Sequence, residues 1–302
     1  MNNLFGQSLA EAVGTENVSV DEPMSQHTTF RVGGPADYFV TPESASAVKR
    51  VVAACKEADV PLYVMGCGSN LLVADGGLRG VVMKIGPKYS TVKVLDAGRV
   101  TAEAGATNAK VARAALDAGL AGFEFAAGIP GSIGGAAIMN AGAYGGELRD
   151  VATGVTCLSP AGEIVEVAAA DAGWSYRHSR MADDGSIVLS VDLELVPDDP
   201  EAIRERMADL ARRRSDKQPL DLPSAGSTFK RPPGHFAGKL IQDAGMQGHT
   251  VGGAQVSPKH AGFVVNVGGA TASDVLQVIE DVRAAVSSRF GVDLEPEVRI
   301  WR

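Results

Sequence analysis

The sequence has few cysteines, no long apolar run and no excess of positive charge. Its three cysteines, Cys55, Cys67 and Cys157, are widely spaced and odd in number. They therefore indicate neither a disulfide framework nor a set of zinc ligands. We expect them to be small buried thiols in a reducing compartment, and we expect no metal site.

Signals for a membrane, for secretion and for nucleic acid are also missing. No stretch approaches the ~18 uninterrupted apolar residues that a membrane-spanning helix needs. The N-terminal stretch MNNLFGQSLAEAVG lacks the basic start and apolar centre of a signal peptide. The net charge is −8, and the one dense basic run, at 212–214, is expected to complement the C-terminal end of a helix. The sequence predicts a cytoplasmic protein without a membrane or nucleic-acid partner.

Glycine, in contrast, is abundant, with 36 in 302 residues against roughly 7 in 100 for average proteins. Many backbone positions therefore need tight turns or close approach to a ligand. Hydrophobic residues make up 45% and charged residues 21%, which is typical of a folded soluble protein with a sizeable core. The length predicts two or three domains.

Hydrophobic periodicity predicts an α+β chain that starts with a β-α-β unit. Strands are expected at 37–40 and 61–64, around a helix with Thr41 as its N-cap and Pro42 at its first position. From residue 80 onward the pattern alternates as in antiparallel strands, beginning with a hairpin around Asp96-Ala97-Gly98.

The C-terminal third is expected to form a separate domain. The turn-forming run Pro197-Asp198-Asp199-Pro200 marks the domain boundary and precedes an amphipathic helix that should end near Arg212. The last helix should begin with a capping box of Thr271 and Asp274 and close at Gly291. We place the domains at 1–86, 87–199 and 200–302.

Two glycine-bearing segments are candidates for holding a ligand. The first is Gly66-Cys67-Gly68-Ser69-Asn70, and the second is Gly128-Ile129-Pro130-Gly131-Ser132-Ile133-Gly134-Gly135, followed by Asn140-Ala141-Gly142-Ala143-Tyr144-Gly145. The backbone N–H groups of such loops can cradle a pyrophosphate. Neither segment matches the dinucleotide fingerprint or the P-loop pattern. Taken alone, each is better explained as a structural turn.

In combination with HTTFRVGGPA at 27–36, these segments are similar to the FAD-binding half of the UDP-N-acetylenolpyruvoylglucosamine reductases. That family is a branch of the vanillyl-alcohol-oxidase (PCMH) type of flavin fold. The resemblance covers nearly the whole chain. It implies an α+β protein with two FAD-binding subdomains, 1–86 and 87–199, and a C-terminal α+β substrate-binding domain, 200–302.

The resemblance implies FAD as a non-covalent cofactor. Ser69 stands where covalently flavinylated members of the superfamily often carry histidine. Tyr144 is expected near the flavin, although a core aromatic explains it equally well. The residues implied to bind the cofactor are Gly66, Cys67, Gly68, Ser69, Asn70, Gly128, Ile129, Pro130, Gly131, Ser132, Gly134, Gly135, Asn140, Gly142 and Tyr144.

Three further segments resemble the catalytic motifs of that family: Tyr176-Arg177-His178-Ser179, 225–232 (AGSTFKRP) and 294–299 (LEPEVR). Matched by position, they imply that Arg177, Ser227 and Glu297 are catalytic. Without the resemblance, a surface ion pair would be preferred for Arg177, a turn cap for Ser227, and a pairing with Arg299 for Glu297.

The reaction that the resemblance implies gives each of these side chains a task. NADPH reduces the flavin, and flavin N5 then delivers hydride to UDP-N-acetylglucosamine enolpyruvate, giving UDP-N-acetylmuramate for peptidoglycan and hence for cell shape and division. Arg177 and Glu297 would stabilise the resulting enolate, and Ser227 would supply the proton. Such a UDP-N-acetylmuramate dehydrogenase should follow ping-pong kinetics.

Polar residues of the C-terminal third suit the nucleotide-sugar substrate, because phosphate oxygens need hydrogen-bond donors. For Lys239 and Gln242, a solvated helix face is an alternative explanation. The chain is similar to the shorter of two subclasses, and we expect a monomer. The residues expected to contact substrate are Lys230, Arg231, Lys239, Gln242, Lys259 and His260.

Two other functions are compatible with parts of this pattern. A flavin oxidase of the same fold would explain the glycine loops, but Ser69 and the motifs of the last third argue against it. A nucleotide-sugar binding protein without redox activity would leave Arg177, Ser227 and Glu297 unexplained as a group.

Overall fold

A computed structural model describes residues 3–302, which divide into two compact units. Unit 1 runs to Val20 and continues with Tyr38–Cys67 and Gly80–Arg214. Unit 2 consists of Asp21–Asp37, Gly68–Arg79 and Ser215–Arg302. Each unit is therefore assembled from three separate segments of the chain.

Helices and strands alternate through the described residues. The α-helices are α1 (Asn3–Val13), α2 (Ala45–Glu57), α3 (Asn108–Asp117), α4 (Ile133–Met139), α5 (Arg180–Asp184), α6 (Pro200–Lys217), α7 (Ala237–Asp243) and α8 (Ala272–Phe290). The strands are β1 (Val18–Pro23), β2 (Pro35–Val40), β3 (Leu62–Met65), β4 (Leu71–Val73), β5 (Leu78–Lys84), β6 (Val92–Val94), β7 (Arg99–Glu103), β8 (Leu120–Ala121), β9 (Gly142–Ala143), β10 (Gly146–Glu147), β11 (Ala152–Leu158), β12 (Ile164–Ala168), β13 (Ile187–Glu194), β14 (Val196–Pro197), β15 (Thr250–Val251), β16 (Ala254–Val256), β17 (Val264–Asn266) and β18 (Arg299–Trp301).

Two sheets organise the first two-thirds of the chain. A four-stranded sheet has the order β1-β2-β5-β3, with β3 parallel to β5. An antiparallel five-stranded sheet has the order β12-β11-β13-β7-β6. In unit 1, buried side chains of α2, α3 and α4 pack with these strands into one hydrophobic core.

The expected β-α-β start is confirmed, but its helix begins later than predicted. Ser44, not Thr41, is the N-cap of α2, and its hydroxyl accepts a hydrogen bond from the backbone N–H of Ala47. The Thr41 hydroxyl instead donates to the side-chain oxygen of Asn17 at 3.1 Å. The Thr41 hydroxyl is therefore engaged by a residue distant in sequence and does not cap the helix.

The hairpin around Asp96-Ala97-Gly98 is confirmed, with Val94 opposite Val100. The end predicted for α6 is wrong, because the helix continues past Arg212 to Lys217. Arg212 and Arg213 both pair with Asp209 at helical spacing, and no proline occurs before Pro219 to stop the helix.

Unit 2 is built around α8. The buried stripe on this helix comprises Val275, Val278, Ile279, Val282 and Val286. It packs in a hydrophobic core with the antiparallel sheet β15-β16-β17, and β18 pairs parallel with β4 in the same unit. The predicted capping box is confirmed at the helix start, and Gly291 closes the helix with a φ of 64°.

The cysteines are free thiols. Cys55 and Cys157 are buried, and burial raises the pKa of each thiol to about 11. Among residues 3–302, no helix has the length and apolar character needed to cross a membrane. Within the same range, no three His, Cys, Asp or Glu side chains are grouped so as to hold a metal ion.

The α8 capping box generates a stability prediction. Thr271→Ala should lower the free energy of unfolding by about 1 kcal/mol, because the N–H of Asp274 loses its hydroxyl acceptor. Ser288→Ala on the exposed face of the same helix is the control and should change it by less than about 0.5 kcal/mol. Urea denaturation measures both values, and equal values would contradict the importance of the cap.

Candidate active site

Hydrogen bonds with Asn108 and Ala104 fix the backbone of the second glycine segment, residues 128–135. Asn108 is buried, and its backbone N–H donates to the carbonyl of Gly131 at 3.1 Å while its Nδ2 donates to the carbonyl of Ile129 at 3.3 Å. The N–H of Gly134 donates to the carbonyl of Ala104 at 3.0 Å, which ties the start of α4 to the residue after β7. Asn108 Oδ1 has no hydrogen-bond partner among the described residues.

At two positions of the candidate loops, only glycine leaves room for the neighbouring segment of the chain. A Cβ on Gly66 would lie 2.2 Å from the Oγ of Ser132, so the first loop meets the second at this point. A Cβ on Gly134 would lie 2.7 Å from the Cβ of Ala104. Gly128, Pro130 and Gly135 are exposed, so the outer side of this segment is accessible to a ligand.

In unit 2, the end of the first loop is connected to the C-terminal motif. The carbonyl of Gly68 accepts the backbone N–H of Thr29 at 3.2 Å, so the HTTFRVGGPA segment at 27–36 is hydrogen-bonded to the first glycine loop. Asn70 Nδ2 donates to the carbonyl of Glu297 at 3.0 Å, and the N–H of Arg299 donates to the carbonyl of Asn70 at 3.0 Å. Asn70 therefore fixes the backbone that carries Glu297.

Arg177 occupies a strained turn in unit 1. Its φ is 55°, which is uncommon for a residue other than glycine and is a kind of strain that clusters at functional sites. Ser175 and His178 flank the turn and exchange two backbone hydrogen bonds of 3.1 and 3.2 Å. The guanidinium is half-buried, donates from Nη2 to the carbonyl of Gly142 at 3.3 Å and lies 5.1 Å from the ring centroid of Tyr176.

The C-terminal end of α4 anchors the segment around this turn. The indole N–H of Trp174 donates to the carbonyl of Ala137 at 2.8 Å, and the Ser179 hydroxyl donates to the carbonyl of Ile138 at 2.9 Å. Both carbonyls belong to α4, whose end would otherwise leave carbonyls without partners. The same short helix therefore begins at the glycine segment and ends at the Arg177 turn.

Ser227 and Glu297 are brought together within unit 2. The backbone N–H of Glu297 donates to the carbonyl of Thr228 at 2.8 Å, and Phe229 bridges to Pro296 beside it. Thr228 is buried, and its hydroxyl accepts the N–H of Val264 at 2.9 Å. Ser227 itself is exposed, so the anchored neighbour presents its hydroxyl to solvent next to the glutamate segment.

The lysines proposed for substrate binding already have partners inside the protein. Lys230 forms an ion pair with Glu295, and Lys239 forms one with Asp243. Lys259 Nζ donates to the carbonyl of Ser215 at 2.6 Å. Exposed ion pairs contribute little, so Lys230 and Lys239 can exchange partners when an anion is present, and Lys259 has only a neutral carbonyl to give up.

The remaining substrate candidates differ from one another in environment. The Arg231 guanidinium lies 4.0 Å from the ring centroid of Phe236, and Gln242 is exposed. His260 Nδ1 accepts the N–H of Gly262 at 3.1 Å, and burial lowers the pKa of this imidazole. His260 is therefore neutral at neutral pH, with its proton on Nε2, and can donate one hydrogen bond.

Tyr144 and Cys67 complete the set of proposed cofactor residues. Tyr144 lies in the turn between β9 and β10 with a φ of 55° and is 44% exposed, so it is not a core aromatic. Cys67 is half-buried, and burial raises the pKa of its thiol. The Cys67 thiol is therefore neutral at neutral pH and does not supply a charge to this loop.

Arg214, in the last turn of α6, makes a contact that the sequence analysis did not foresee. Its side chain lies against the glycine segment, with Nη1 3.3 Å from where a Cβ on Gly128 would be. Burial lowers the pKa of the guanidinium, and Tyr144 opposes this shift. The apolar stripe of Ile203 and Met207, extended by helical spacing, reaches position 214 and would have indicated an inward-facing arginine.

Comparison with known proteins adds to this geometry. Residues 36–168 match a family model described as "FAD binding domain", and 218–301 match one described as "UDP-N-acetylenolpyruvoylglucosamine reductase, C-terminal domain". The chain is 50% identical to the UDP-N-acetylenolpyruvoylglucosamine reductase of Agathobacter rectalis, with 99% of both proteins covered. It is 51% identical to that of Pediococcus pentosaceus, with 98% of both covered.

Solved structures agree with this likeness. The reductase of the same name from Thermus caldophilus has a TM-score of 0.80 and 34% identity, covering 94% of this chain and 98% of that one. A 4-ethylphenol oxidase from Gulosibacter chungangensis is 17% identical, with a TM-score of 0.51 and coverage of 97% of this chain and 64% of that one, and shows likeness of fold alone. The predicted fold class, α+β with a PCMH-type FAD-binding fold, is confirmed.

Adjacent glycines at the start of α4 provide a matched pair of variants. Gly134→Ala should destabilise the protein by roughly 1–3 kcal/mol, because the new methyl would overlap Ala104. Gly135→Ala meets only the Oγ of Ser132 at 3.6 Å and should leave stability unchanged or raise it by up to about 1 kcal/mol. Urea denaturation checks both, and equal stability of the two variants would show that the close approach to Ala104 is not needed.

Proposed function

The chain belongs to the family of UDP-N-acetylenolpyruvoylglucosamine reductases, and from that premise we propose that it reduces UDP-N-acetylglucosamine enolpyruvate to UDP-N-acetylmuramate with electrons from NADPH. It is an FAD-dependent oxidoreductase of peptidoglycan synthesis. Its 302 residues fit the shorter subclass of the family. The proposal rests on one hydrogen bond, from the backbone N–H of Glu297 to the carbonyl of Thr228, which holds the Ser227 and Glu297 segments together.

The residues present fit FAD. A ligand pyrophosphate needs backbone N–H groups and a cation. In the glycine segment the N–H groups of Ile129, Ile133, Gly134 and Gly135 already have acceptors, so the candidates are those of Gly128, Gly131 and Ser132, with Arg214 beside Gly128 as the cation. The guanidinium of Arg214 has no hydrogen bond or ion pair within residues 3–302, so an anion would complete it. When bound, FAD supplies two-electron transfer between the nicotinamide and the enolpyruvyl group. The loops 66–70 and 128–135 would hold it, with Ser69 leaving it non-covalent.

Arg177 would bind the carboxylate of the enolpyruvyl group. A guanidinium can donate two parallel hydrogen bonds to a carboxylate, and the same bonds strengthen as negative charge develops on it. The strained turn and the carbonyl of Gly142 fix the guanidinium before substrate arrives. Catalysis gains from such prior positioning, because no rearrangement is then needed during reaction.

Ser227 would deliver a proton to the carbon next to that carboxylate. Its hydroxyl is exposed, and the buried Thr228 fixes the backbone on which it stands. Glu297, whose backbone N–H is bonded to Thr228, would stabilise the enolate through its carboxyl group when that group carries a proton. A serine hydroxyl is a weak acid, but the enolate is a strong enough base to take its proton.

The donors of the last third would contact the nucleotide diphosphate. His260 would donate directly. Arg231, which donates from Nε to the carbonyl of His235 at 3.2 Å, and Lys230, Lys239 and Lys259 would exchange present partners for phosphate oxygens, with Gln242 nearby in sequence on α7. We further propose a cytoplasmic monomer in which 1–86 and 87–199 serve FAD and 200–302 serves substrate. NADPH and the sugar would react in turn, as separate half-reactions.

Ser227→Ala tests the proposed role of the hydroxyl. Reduction of the bound flavin by NADPH should proceed at the normal rate, because no proton from Ser227 is used in that half-reaction. Reoxidation by the enolpyruvyl sugar should slow by on the order of 10²–10⁴-fold. Anaerobic rapid mixing, followed by flavin absorbance, measures the two rates separately.

Ser224→Ala is the matched control, since Ser224 is a half-buried serine three positions away whose backbone bridges to Val265. It should leave both half-reactions near normal. If Ser227→Ala slowed both half-reactions equally, the hydroxyl would have a structural role and the proposed proton transfer would be wrong.

A further inference from the structure

We infer that Asn140 is a positioning residue for Arg177, and that its side chain acts through the Arg177 turn rather than by touching the cofactor. The inference rests on the proposed catalytic role of Arg177. Asn140 is the residue that ends α4, and it is 0% exposed. A side chain with no exposed surface must satisfy its polar atoms inside the protein.

Every polar atom of the Asn140 side chain is hydrogen-bonded. Its Nδ2 donates to the carbonyl of Ser175 at 3.2 Å and to Oε2 of Glu147 at 2.8 Å. Its Oδ1 accepts the backbone N–H of Arg149 at 3.0 Å. The amide therefore uses both of its donors and its acceptor within unit 1, although the sequence motif suggested a contact with the cofactor.

These bonds reach the two structures that hold Arg177. Ser175 begins the turn in which Arg177 lies, and its carbonyl accepts both Asn140 Nδ2 and the N–H of His178. Glu147 belongs to β10, which pairs with the β9 residue Gly142, and Gly142 accepts the Arg177 guanidinium at 3.3 Å. Asn140 is thus bonded to the backbone at the base of the turn and to the hairpin that receives the guanidinium.

The backbone of Asn140 explains why this residue type is suited to the position. Its φ of 41° and ψ of 58° lie in the left-handed region, which asparagine tolerates better than most residues. Glycine would tolerate the conformation equally well but has no amide. The combination of a left-handed helix end and two donated hydrogen bonds requires asparagine, because aspartate would place a second carboxylate beside Glu147.

Two variants separate positioning from cofactor binding. Asn140→Asp keeps the shape and the acceptor but loses both donors, and Asn140→Gly removes the side chain and keeps the backbone conformation. In each, we expect flavin reoxidation by the enolpyruvyl sugar to slow roughly 10–100-fold, as misplaced catalytic groups do. Flavin reduction by NADPH and the dissociation constant of FAD should stay within about twofold. Rapid mixing and flavin fluorescence measure these quantities.

The matched control is Asn17→Asp. Asn17 is also a buried asparagine of unit 1, but its Nδ2 donates to the carbonyl of Val13 at 2.7 Å and its other side-chain partners are Glu16, Thr41, Glu43 and Lys88. This variant should lower the melting temperature without a selective loss in either half-reaction. An equal selective loss in Asn17→Asp would overturn the inference, because general destabilisation would then explain the Asn140 result.

A double-mutant cycle with Arg177→Ala gives the decisive result. If Asn140 acts through Arg177, Asn140→Gly should slow reoxidation in the normal background and cause no further slowing in the Arg177→Ala background. Full additivity, weaker FAD binding, or loss of fold in both Asn140 variants would each overturn the inference. If Arg177→Ala alone left reoxidation unchanged, the proposed role of Arg177 would fall, whereas a slow Arg177→Ala beside normal Asn140 variants would reject only the role of Asn140.

Discussion

The short helix α4, of seven residues, joins the second glycine segment to the Arg177 turn of unit 1 and is held closely at both ends. The first turn of this helix approaches Ala104 so closely that Gly134 has no room for a side chain. Its last carbonyls accept hydrogen bonds from Trp174 and Ser179. A short helix has few internal hydrogen bonds of its own, so both of its ends must be stabilised by partners from other segments.

Helix α4 connects the segment proposed to bind FAD with the turn that carries Arg177. The glycine segment that we assign to FAD leads into α4, and the turn that carries Arg177 is bonded to its other end. The spacing between them is therefore set by the rigid backbone of a helix rather than by flexible side chains. In unit 2, the buried Thr228 has a comparable role, because it bonds both to the Glu297 segment and to Val264.

Much of the architecture was predictable because it depends on local signals. The hairpin at residues 92–103 and the capping box of α8 follow from turn residues, alternation and caps that lie close together in sequence. The start of α2 was predicted wrongly, because Pro42 and Glu43 after Thr41 favoured Thr41, whereas Ser44, the residue type with the stronger cap preference, is the N-cap. The Thr41 hydroxyl is bound by the distant residue Asn17, a contact that the sequence does not reveal.

The sequence predicted those site residues that lie in recognisable motifs, but not the roles that depend on contacts between distant parts of the chain. The sequence motifs identified the segments of Ser227 and Glu297, and the structure brings these two segments together. Arg214 was missed because three consecutive arginines indicated a solvated helix end, although the helical stripe passes through it. Asn140 lies in a recognisable motif, but its bond to Ser175, 35 positions away, is visible only in three dimensions.

The proposed reaction can be followed in an anaerobic absorbance titration of the purified protein incubated with FAD. We expect an oxidised-flavin spectrum that bleaches on adding NADPH and returns on adding UDP-N-acetylglucosamine enolpyruvate. A reduced flavin that the sugar leaves bleached, and that only oxygen reoxidises, would indicate an oxidase and rule out the proposed reductase activity. If the protein took up no FAD during the incubation, a binding protein without redox function would be indicated instead.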